Sequence, residues 1–328
     1  MTLTIITVSY NTKKLTLQTI DTAWKEAQSS KTLVKKTEII VVDNDSKDGT
    51  VRAIKDKYHS KNIKVIANKH NKGFASANNQ GIKIAKGEYI ILLNSDTIVQ
   101  KGGLSKMVET FERFPLDDRT AALISERNKI DKLGILAPTL LNPDGTLQPQ
   151  GGDLPNLISL FSHMSFLDDL PILGKLLPST QHTGLRQSEK LRYFTKDARL
   201  IKRGWVGGTA MMIRKKVIKD IGLLDDAIFM YGEDTEYCMR AAHHHWDVAI
   251  DPQAKITHFG QASSSSANAI KGEFKSYLYN WSKHKPLWQM HPLKLILKMG
   301  IILRVIAFTV LRPDKKRQAI YRDLLSEI

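Results

Sequence analysis

Cysteine is almost missing: Cys238 stands alone in 328 residues. A single thiol excludes an intrachain disulfide framework and any multi-cysteine zinc module, and it makes the reducing cytosol the default compartment. The N-terminal MTLTIITVSYNTKK enters a β-branched pattern directly from Met1, without a basic n-region, an apolar core and a small-residue cleavage site, so no signal peptide is expected. Acids are under-represented, 33 Asp and Glu against 49 Lys and Arg, for a net charge of +16. That balance points to an anionic partner: nucleic acid, a phosphorylated small molecule or an anionic membrane face. Hydrophobic residues make up 42% of the chain, enough for one large domain, or a domain with an appendage, around a substantial core.

The first hundred residues alternate two local periods. LTIITV (3–8), EIIVVD (38–43), IKVIAN (63–68) and YIILLN (89–94) are short β-branched runs, and between them apolar residues recur at three- and four-residue spacing. Such βαβ repeats predict an α/β fold with a mainly parallel central sheet flanked by helices. A helix is expected near residues 102–114, and Asn142-Pro143-Asp144-Gly145 predicts a turn between two extended pieces. Residues 153–204 are irregular and read as an excursion from the sheet within a domain of residues 1–260. A strand and helix follow in GTAMMIRKKVIKDIG, a helix in GEDTEYCMRAAHHH, and one or two strands in WDVAIDPQAKITHFG. His243, His244 and His245 read as an exposed helix end and not as a metal site.

Parallel α/β sheets bind ligands beyond the carboxyl ends of their strands. Polar residues cluster at those ends: Ser9-Tyr10-Asn11, Asp43-Asn44-Asp45-Ser46, Asn68 to Gly73, and Asn94-Ser95-Asp96. Each cluster alone has an ordinary explanation, as a helix cap, a turn or a strand terminator; four on one sheet edge favour a ligand site. No glycine-rich phosphate loop follows the first strand, where SYNTKK stands, which disfavours dinucleotide and P-loop chemistry. Acids at strand ends can instead hold a divalent cation that neutralises a diphosphate.

The ordered series TIITVSYN, EIIVVDNDSKDGT, NKGFASANNQG, YIILLNSDTIV, GWVGGTAMMIRKKVIKDIGLLDDAIFMYGEDTEYCMR and ITHFG resembles the family 2 glycosyltransferases of GT-A fold, especially their rhamnosyltransferase-like members, across residues 3–260. The resemblance implies a nucleotide pocket lined by Thr7, Ser9, Tyr10 and Asn11, with Asp43 accepting from the base and Asn44 nearby. Asn71, Gly73, Phe74 and Asn78 would shape the floor under ribose and diphosphate. Asn94, Ser95 and Asp96 take the place of the family's Asp-x-Asp signature, so metal binding, of Mg²⁺ or Mn²⁺, would fall on Asp96 with His258 as a second ligand. Trp205, Gly207 and Gly208 would lie against the sugar. Asp234 would be the base of an inverting displacement, and Glu233 would bind sugar or acceptor. Acids in a first helical turn also favour the helix dipole without any catalytic role.

Residues 261–328 read as a basic helical extension. Between Lys283 and Arg317 stand nine Lys or Arg and one acid, Asp314. On a helix, Lys294, Lys298, Arg304 and Arg312 fall within roughly a 120° sector and leave the rest apolar, the shape of a helix in a membrane interface. The expectation is therefore a cytoplasmic, peripherally membrane-associated enzyme of bacterial surface-polysaccharide synthesis. Its donor would be a nucleotide sugar, with dTDP-rhamnose foremost, and its acceptor lipid-linked or glycan. Two other readings stand beside it. A processive polysaccharide synthase is disfavoured by the lack of a Gln-x-x-Arg-Trp motif and of multiple spans. A non-enzymatic nucleotide-sugar or nucleic-acid binder is the other, and nucleic acid is disfavoured because the cations gather on a tail with an apolar face, not along an aromatic groove.

Overall fold

A computed structural model of the chain describes residues 1–114, 116, 130–181, 199–260 and 266–328. Strands β1 (Leu3–Ser9), β2 (Thr37–Asp43), β3 (Ile63–Ala67) and β4 (Tyr89–Leu93) alternate with helices α1 (Lys13–Ser29), α2 (Thr50–Lys57) and α3 (Phe74–Ile84). β2 is buried along its whole length, and a strand covered on both faces needs consecutive apolar residues, as at positions 39–42. Its buried Glu38 is satisfied by the hydroxyl of Thr4 (2.8 Å), the amide of Lys86 (2.7 Å) and the ammonium of Lys64 (2.8 Å).

The remaining elements of the sheet region are β5 (Thr97–Val99), α4 (Ser105–Arg113), β6 (Leu133–Leu141), β7 (Ile201–Arg203), β8 (Ala210–Arg214), α6 (Lys215–Ile221), α7 (Glu233–His243) and β9 (Asp247–His258), with α5 described below. Among the described residues the nine strands form one sheet in the order β3-β2-β1-β4-β8-β6-β9-β5, with β7 also on β9. The first four strands are mutually parallel, β8 is antiparallel to β4 and β6, β9 is parallel to β6, and β5 and β7 are antiparallel to β9. The expected α/β sheet is present, parallel in its first half and mixed in its second. Leu3, Ile5, Ile39, Val41, Ile91 and Leu93 pack with Ile20 and Ala23 of α1 in its main core. The predicted turn forms at residues 142–145, but beyond it only Leu147 bridges back, to Leu141, so the second arm is a stub and not a strand.

This topology gathers the strand ends. The parallel strands bring the loops after β1, β2, β3 and β4 to one edge. β5 leaves β4 and pairs at the far side with β9, Thr97 opposite His258, so Asn94-Ser95-Asp96 crosses toward the end of β9.

The chain divides into two compact units, Met1–Gln150 with Gln187–Ser263, and Gly151–Arg186 with Ser264–Ile328. The division differs from a domain boundary at residue 260: residues 151–181, among them 153–181 of the expected excursion, group with the C-terminal helices. Residues 182–198 and 261–265 lie outside the described set. In the second unit, α5 (Leu157–Met164), capped by Asn156 and Ser159, joins α8 (Ser266–His284), α9 (Met290–Ile306) and α10 (Lys315–Glu327) around Leu160, Phe274, Trp281, Leu297, Ile301 and Leu324. Gly300 lets α9 meet α5 closely, since a Cβ there would sit 2.6 Å from the sulfur of Met164.

The single amphipathic helix expected to carry Lys294, Lys298, Arg304 and Arg312 on one face is not what forms. α9 ends in a wide turn at Ala307–Leu311, and Pro313, which cannot continue the ladder, separates it from α10. Arg304 is not part of a cationic face: it is buried, donates to the carbonyls of Met164 (3.0 Å) and Gly300 (3.2 Å), and stacks 4.7 Å over Phe166. Lys294, Lys298 and Arg312 do face solvent. Among the described residues no helix is long and apolar enough to cross a membrane.

Candidate active site

At the β1–β2 edge, register places Ser9 beside Asp43. Thr7 and Ser9 share the pleat face of Leu3 and Ile5 and are buried. The Ser9 hydroxyl is engaged with Thr16 (2.8 Å) and Thr12 (3.4 Å), whereas the Thr7 hydroxyl has no partner. Tyr10 is exposed, and Asn11 links the first two loops by donating its amide to Ser46 and accepting from the amide of Lys47. Asp43 accepts from the Ser46 amide through Oδ1 (3.0 Å), and its buried Oδ2 has no partner. A buried carboxylate oxygen without a donor is costly unless a ligand supplies one.

The third loop is organised by Asn44. Its amide donates to Asn71 Oδ1 (2.8 Å) and the Gly73 carbonyl (3.1 Å), and its oxygen accepts from Asn68 (3.1 Å) and the Lys72 amide (3.0 Å). Both ends of Asn44 are therefore consumed inside the protein, and it shapes the loop from within. Gly73 has φ +82°, and a Cβ there would strike the Phe229 carbonyl, the group that accepts from the Phe74 amide at 2.7 Å. Asn78 is buried and donates to the Phe74 carbonyl (3.0 Å).

The fourth strand end is fixed from α1. Thr19 donates to the carbonyls of Ser95 (3.0 Å) and Thr97 (2.8 Å) and accepts from the Thr97 amide (3.1 Å), while Thr12 meets the Ser95 hydroxyl at 3.1 Å. Asn94 donates its amide to the Thr209 carbonyl, and the Asp96 carbonyl accepts from Phe259. With the turn so held, Asp96 Oδ1 lies 3.2 Å from His258 Nε2. One carboxylate oxygen and one imidazole nitrogen form a donor pair suited to Mg²⁺ or Mn²⁺. Among the described residues no group of three or more His, Cys, Asp and Glu gathers into a cage. Two protein ligands fit a cation whose other positions go to diphosphate oxygens and water.

The second acid pair opens α7. Gly232, at φ +100°, and Tyr231, at φ +72°, turn the chain into the helix. Asp234 accepts from the Gly208 amide through Oδ2 (2.9 Å) and from the Thr235 amide through Oδ1 (2.7 Å). A Cβ on Gly207 would lie 3.8 Å from that Oδ2, and one on Gly208 would lie 3.2 Å from the Phe74 ring, so Gly207, Gly208, Phe74 and Asp234 meet at one place. Trp205 is half-buried nearby in sequence. Glu233 is 5% exposed, and its Oε2 has no partner. Burial first, and the adjacent Asp234 second, push Glu233 up to about 8. Burial raises Asp234 too, against the hydrogen bonds from Gly208 and Thr235. Asp234 accepts from the Gly208 and Thr235 amides, whereas Glu233 Oε2 has no partner, an arrangement that favours the proton on Glu233.

Residues 4–135 match the Glycosyl transferase family 2 model. That segment, from β1 into β6, is matched as a family 2 glycosyltransferase domain. A curated relative, N-acetylglucosaminyl-diphospho-decaprenol L-rhamnosyltransferase of Mycobacterium tuberculosis, is 24% identical over 296 residues, covering 85% of this chain and 86% of that one. Among solved structures, GalNAc-T7 with UDP, GalNAc and Mn²⁺ aligns at TM-score 0.60 and 15% identity over 98% of this chain. This chain spans 54% of that protein's length. The mannosyltransferase PcManGT from Pyrobaculum calidifontis, in complex with GDP-Man and Mn²⁺, aligns at TM-score 0.56 and 13% identity over 99% of this chain and 85% of that one. These likenesses establish the GT-A fold.

Within the sheet unit several supporting residues escape a reading of strand ends. Thr12, Thr16 and Thr19 recur at helical spacing and turn their hydroxyls toward the strand ends, a signal present in the period of α1. Buried Glu236 and half-buried Arg240, four apart, pair at 2.8 Å, and Arg240 also donates to the carbonyls of Ile221 and Leu223, fixing α7 to that turn. Gln148, which contacts His258 Nδ1 at 2.7 Å, lies 110 residues away in sequence and carries no motif of its own. His243, His244 and His245 are exposed at the end of α7, with His244 3.4 Å from Asp220.

Proposed function

We propose that this chain is an inverting glycosyltransferase that moves a deoxyhexose from a nucleotide diphosphosugar to a hydroxyl of a lipid-linked or glycan acceptor. The observation that carries the proposal is Asp234, aimed by the Gly208 and Thr235 amides and gathered with Gly207, Gly208 and the Phe74 ring at one place. Asp234 accepts the proton of the acceptor hydroxyl as that oxygen bonds to the anomeric carbon, and the diphosphate oxygen departs with the electrons of the broken C–O bond. One displacement inverts the carbon. Glu233, protonated, donates a hydrogen bond to a hydroxyl of sugar or acceptor, and Trp205 bounds the sugar.

Along the sheet edge, Asp43 Oδ2 accepts from the base, Tyr10, Asn11 and Thr7 bound the nucleotide, and the loop from Asn71 to Phe74 with Asn78 forms the floor; Ser9, Asn44 and Ser95 hold these loops in shape from inside. Asp96 and His258, beside Asn94, would hold Mg²⁺ or Mn²⁺, which supplies positive charge against the departing diphosphate. The solved neighbours that contain Mn²⁺ support this assignment. Rhamnose from dTDP-rhamnose is the first donor to test, because the mycobacterial relative is named an L-rhamnosyltransferase. That relative's diphospho-decaprenol also supports a lipid-linked acceptor and a role in bacterial surface-polysaccharide synthesis.

The enzyme would then work at the inner face of the cell membrane, docked through residues 283–317. Leu287, Trp288, Leu295, Ile302, Ile306, Val310 and Leu311 are exposed there, with Lys294, Lys298 and Arg312 also exposed, a composition that favours an interfacial site on anionic lipid. A thermal-shift screen of nucleotide sugars with and without Mn²⁺ tests the donor site, since a ligand of the native state raises apparent stability. The expected result is stabilisation by one nucleotide sugar, enhanced by Mn²⁺; no response to any donor overturns the proposal.

A further inference from the structure

The turn at residues 142–148 contains an unbroken chain of hydrogen bonds that ends on His258. It begins at the exposed carboxylate of Asp144, which can only accept. The Thr146 hydroxyl lies 2.6 Å from Asp144 Oδ1 and therefore donates to it. Thr146 Oγ1 is left to accept, and it does so from the amide nitrogen of Asn142 at 2.9 Å. The other end of Asn142, its oxygen, accepts from the amide nitrogen of Gln148 at 3.1 Å. This turns the Gln148 oxygen toward His258 Nδ1, 2.7 Å away. An oxygen facing that nitrogen requires N–H at Nδ1, which leaves the lone pair of the neutral imidazole on Nε2.

The polarity of the whole chain is thus set by an acceptor at its outer end, and each amide orientation follows from its neighbours. Backbone geometry holds the series in place: Gly145 donates to the Asn142 carbonyl at 2.9 Å, the Asn142 amide donates to Thr146, and the Gln148 amide donates to Leu140. At the inner end, His258 Nε2 stands 3.2 Å from Asp96 Oδ1. With the N–H on Nδ1, the Nε2 lone pair of the neutral ring and the Asp96 oxygen are turned to one position, where a cation would be held by both.

We infer that Gln148, aimed by Asn142, Thr146 and Asp144, is the positioning residue that makes His258 Nε2 a metal ligand together with Asp96. The inference rests on the assignment of Asp96 and His258 as the metal-binding pair. It adds that the turn at residues 142–148 sets metal affinity through His258. Outer partners of a ligating histidine fix its tautomer and raise its basicity, and their loss lowers metal affinity by about 10–100-fold.

The test is a Mn²⁺ titration of the full chain, followed by the electron paramagnetic resonance signal of free Mn²⁺, with dTDP, UDP or GDP present. It compares the parent with Gln148→Met, Gln148→Glu and Asn142→Leu. Met keeps the length and loses the acceptor, so affinity should fall at least about tenfold; Glu keeps the acceptor, so affinity should equal or exceed the parent's; Asn142→Leu should fall between parent and Met. A role in packing alone gives the opposite order, with Met close to the parent and Glu the weakest, and that order overturns the inference. Equal affinities for Met and parent also overturn it. A parent that binds no Mn²⁺ with any of the three nucleotides overturns the metal pair itself and the inference with it.

Discussion

Replacing Glu233 by glutamine should stabilise the folded chain by an amount that grows with pH. Glu233 is buried and has an unpartnered Oε2, and its native value near 8 compares with an ordinary 4.5. Between those two values the native state keeps a proton that the unfolded chain has released. The native state therefore binds more protons, and stability falls as pH rises through this window. At about 1.4 kcal/mol for each tenfold change in proton affinity, the whole window is worth about 5 kcal/mol. Glutamine has the same shape and nothing to titrate. Its advantage over Glu233 should be about 1 kcal/mol at pH 5 and about 4–5 kcal/mol at pH 8, where the native carboxyl itself begins to ionise. Urea unfolding followed by circular dichroism at pH 5, 6, 7 and 8 measures the difference directly. A stability gain that is constant across that range, or a loss at pH 8, refutes the assignment of the proton to Glu233.

Three other outcomes follow from the same geometry. Gly73→Ala places a Cβ against the Phe229 carbonyl at φ +82° and should cost about 2–4 kcal/mol in chemical unfolding, while also weakening donor binding, because Phe74 moves with it. Glu236→Ala leaves the half-buried Arg240 guanidinium without its carboxylate but still bonded to two carbonyls; the loss should be about 1–3 kcal/mol, and an unfolding midpoint unchanged from the parent contradicts it. Trp288→Ser combined with Leu295→Ser should lower co-flotation with vesicles rich in anionic lipid by at least about tenfold and leave transfer to a soluble acceptor unchanged; equal flotation removes these side chains from the membrane surface.

The N-terminal half was legible because its period is local. Residues 39–42 are apolar in succession because β2 is covered on both faces, and the polar residues at strand ends could be placed on one edge by the logic of parallel sheets alone. Asp96 and His258 stand 162 positions apart, and the sequence offered that pairing only through family likeness; the antiparallel β5–β9 register realises it. Two features lay beyond local pattern. Arg304 falls at one edge of the same cationic sector as Lys298, and the carbonyls of Met164 and Gly300 draw it into the interior. The grouping of residues 151–181 with the C-terminal helices depends on Leu160 and Met164 joining Trp281 and Leu297, a contact more than a hundred residues in span. Ser9, Asn44 and Ser95 show a third limit: their types suit a ligand site, yet their hydrogen bonds are spent inside the protein.

The central claim is that Asp234 takes the proton from the acceptor hydroxyl. The measurement that tests it most directly is the rate of sugar transfer by Asp234→Asn, with donor affinity measured on the same protein. Asparagine keeps the size of the side chain and an oxygen able to accept from the Gly208 amide, but it cannot serve as a base. Transfer should fall by about 10²–10⁴-fold with donor affinity within about threefold of the parent. A transfer rate within tenfold of the parent contradicts the account.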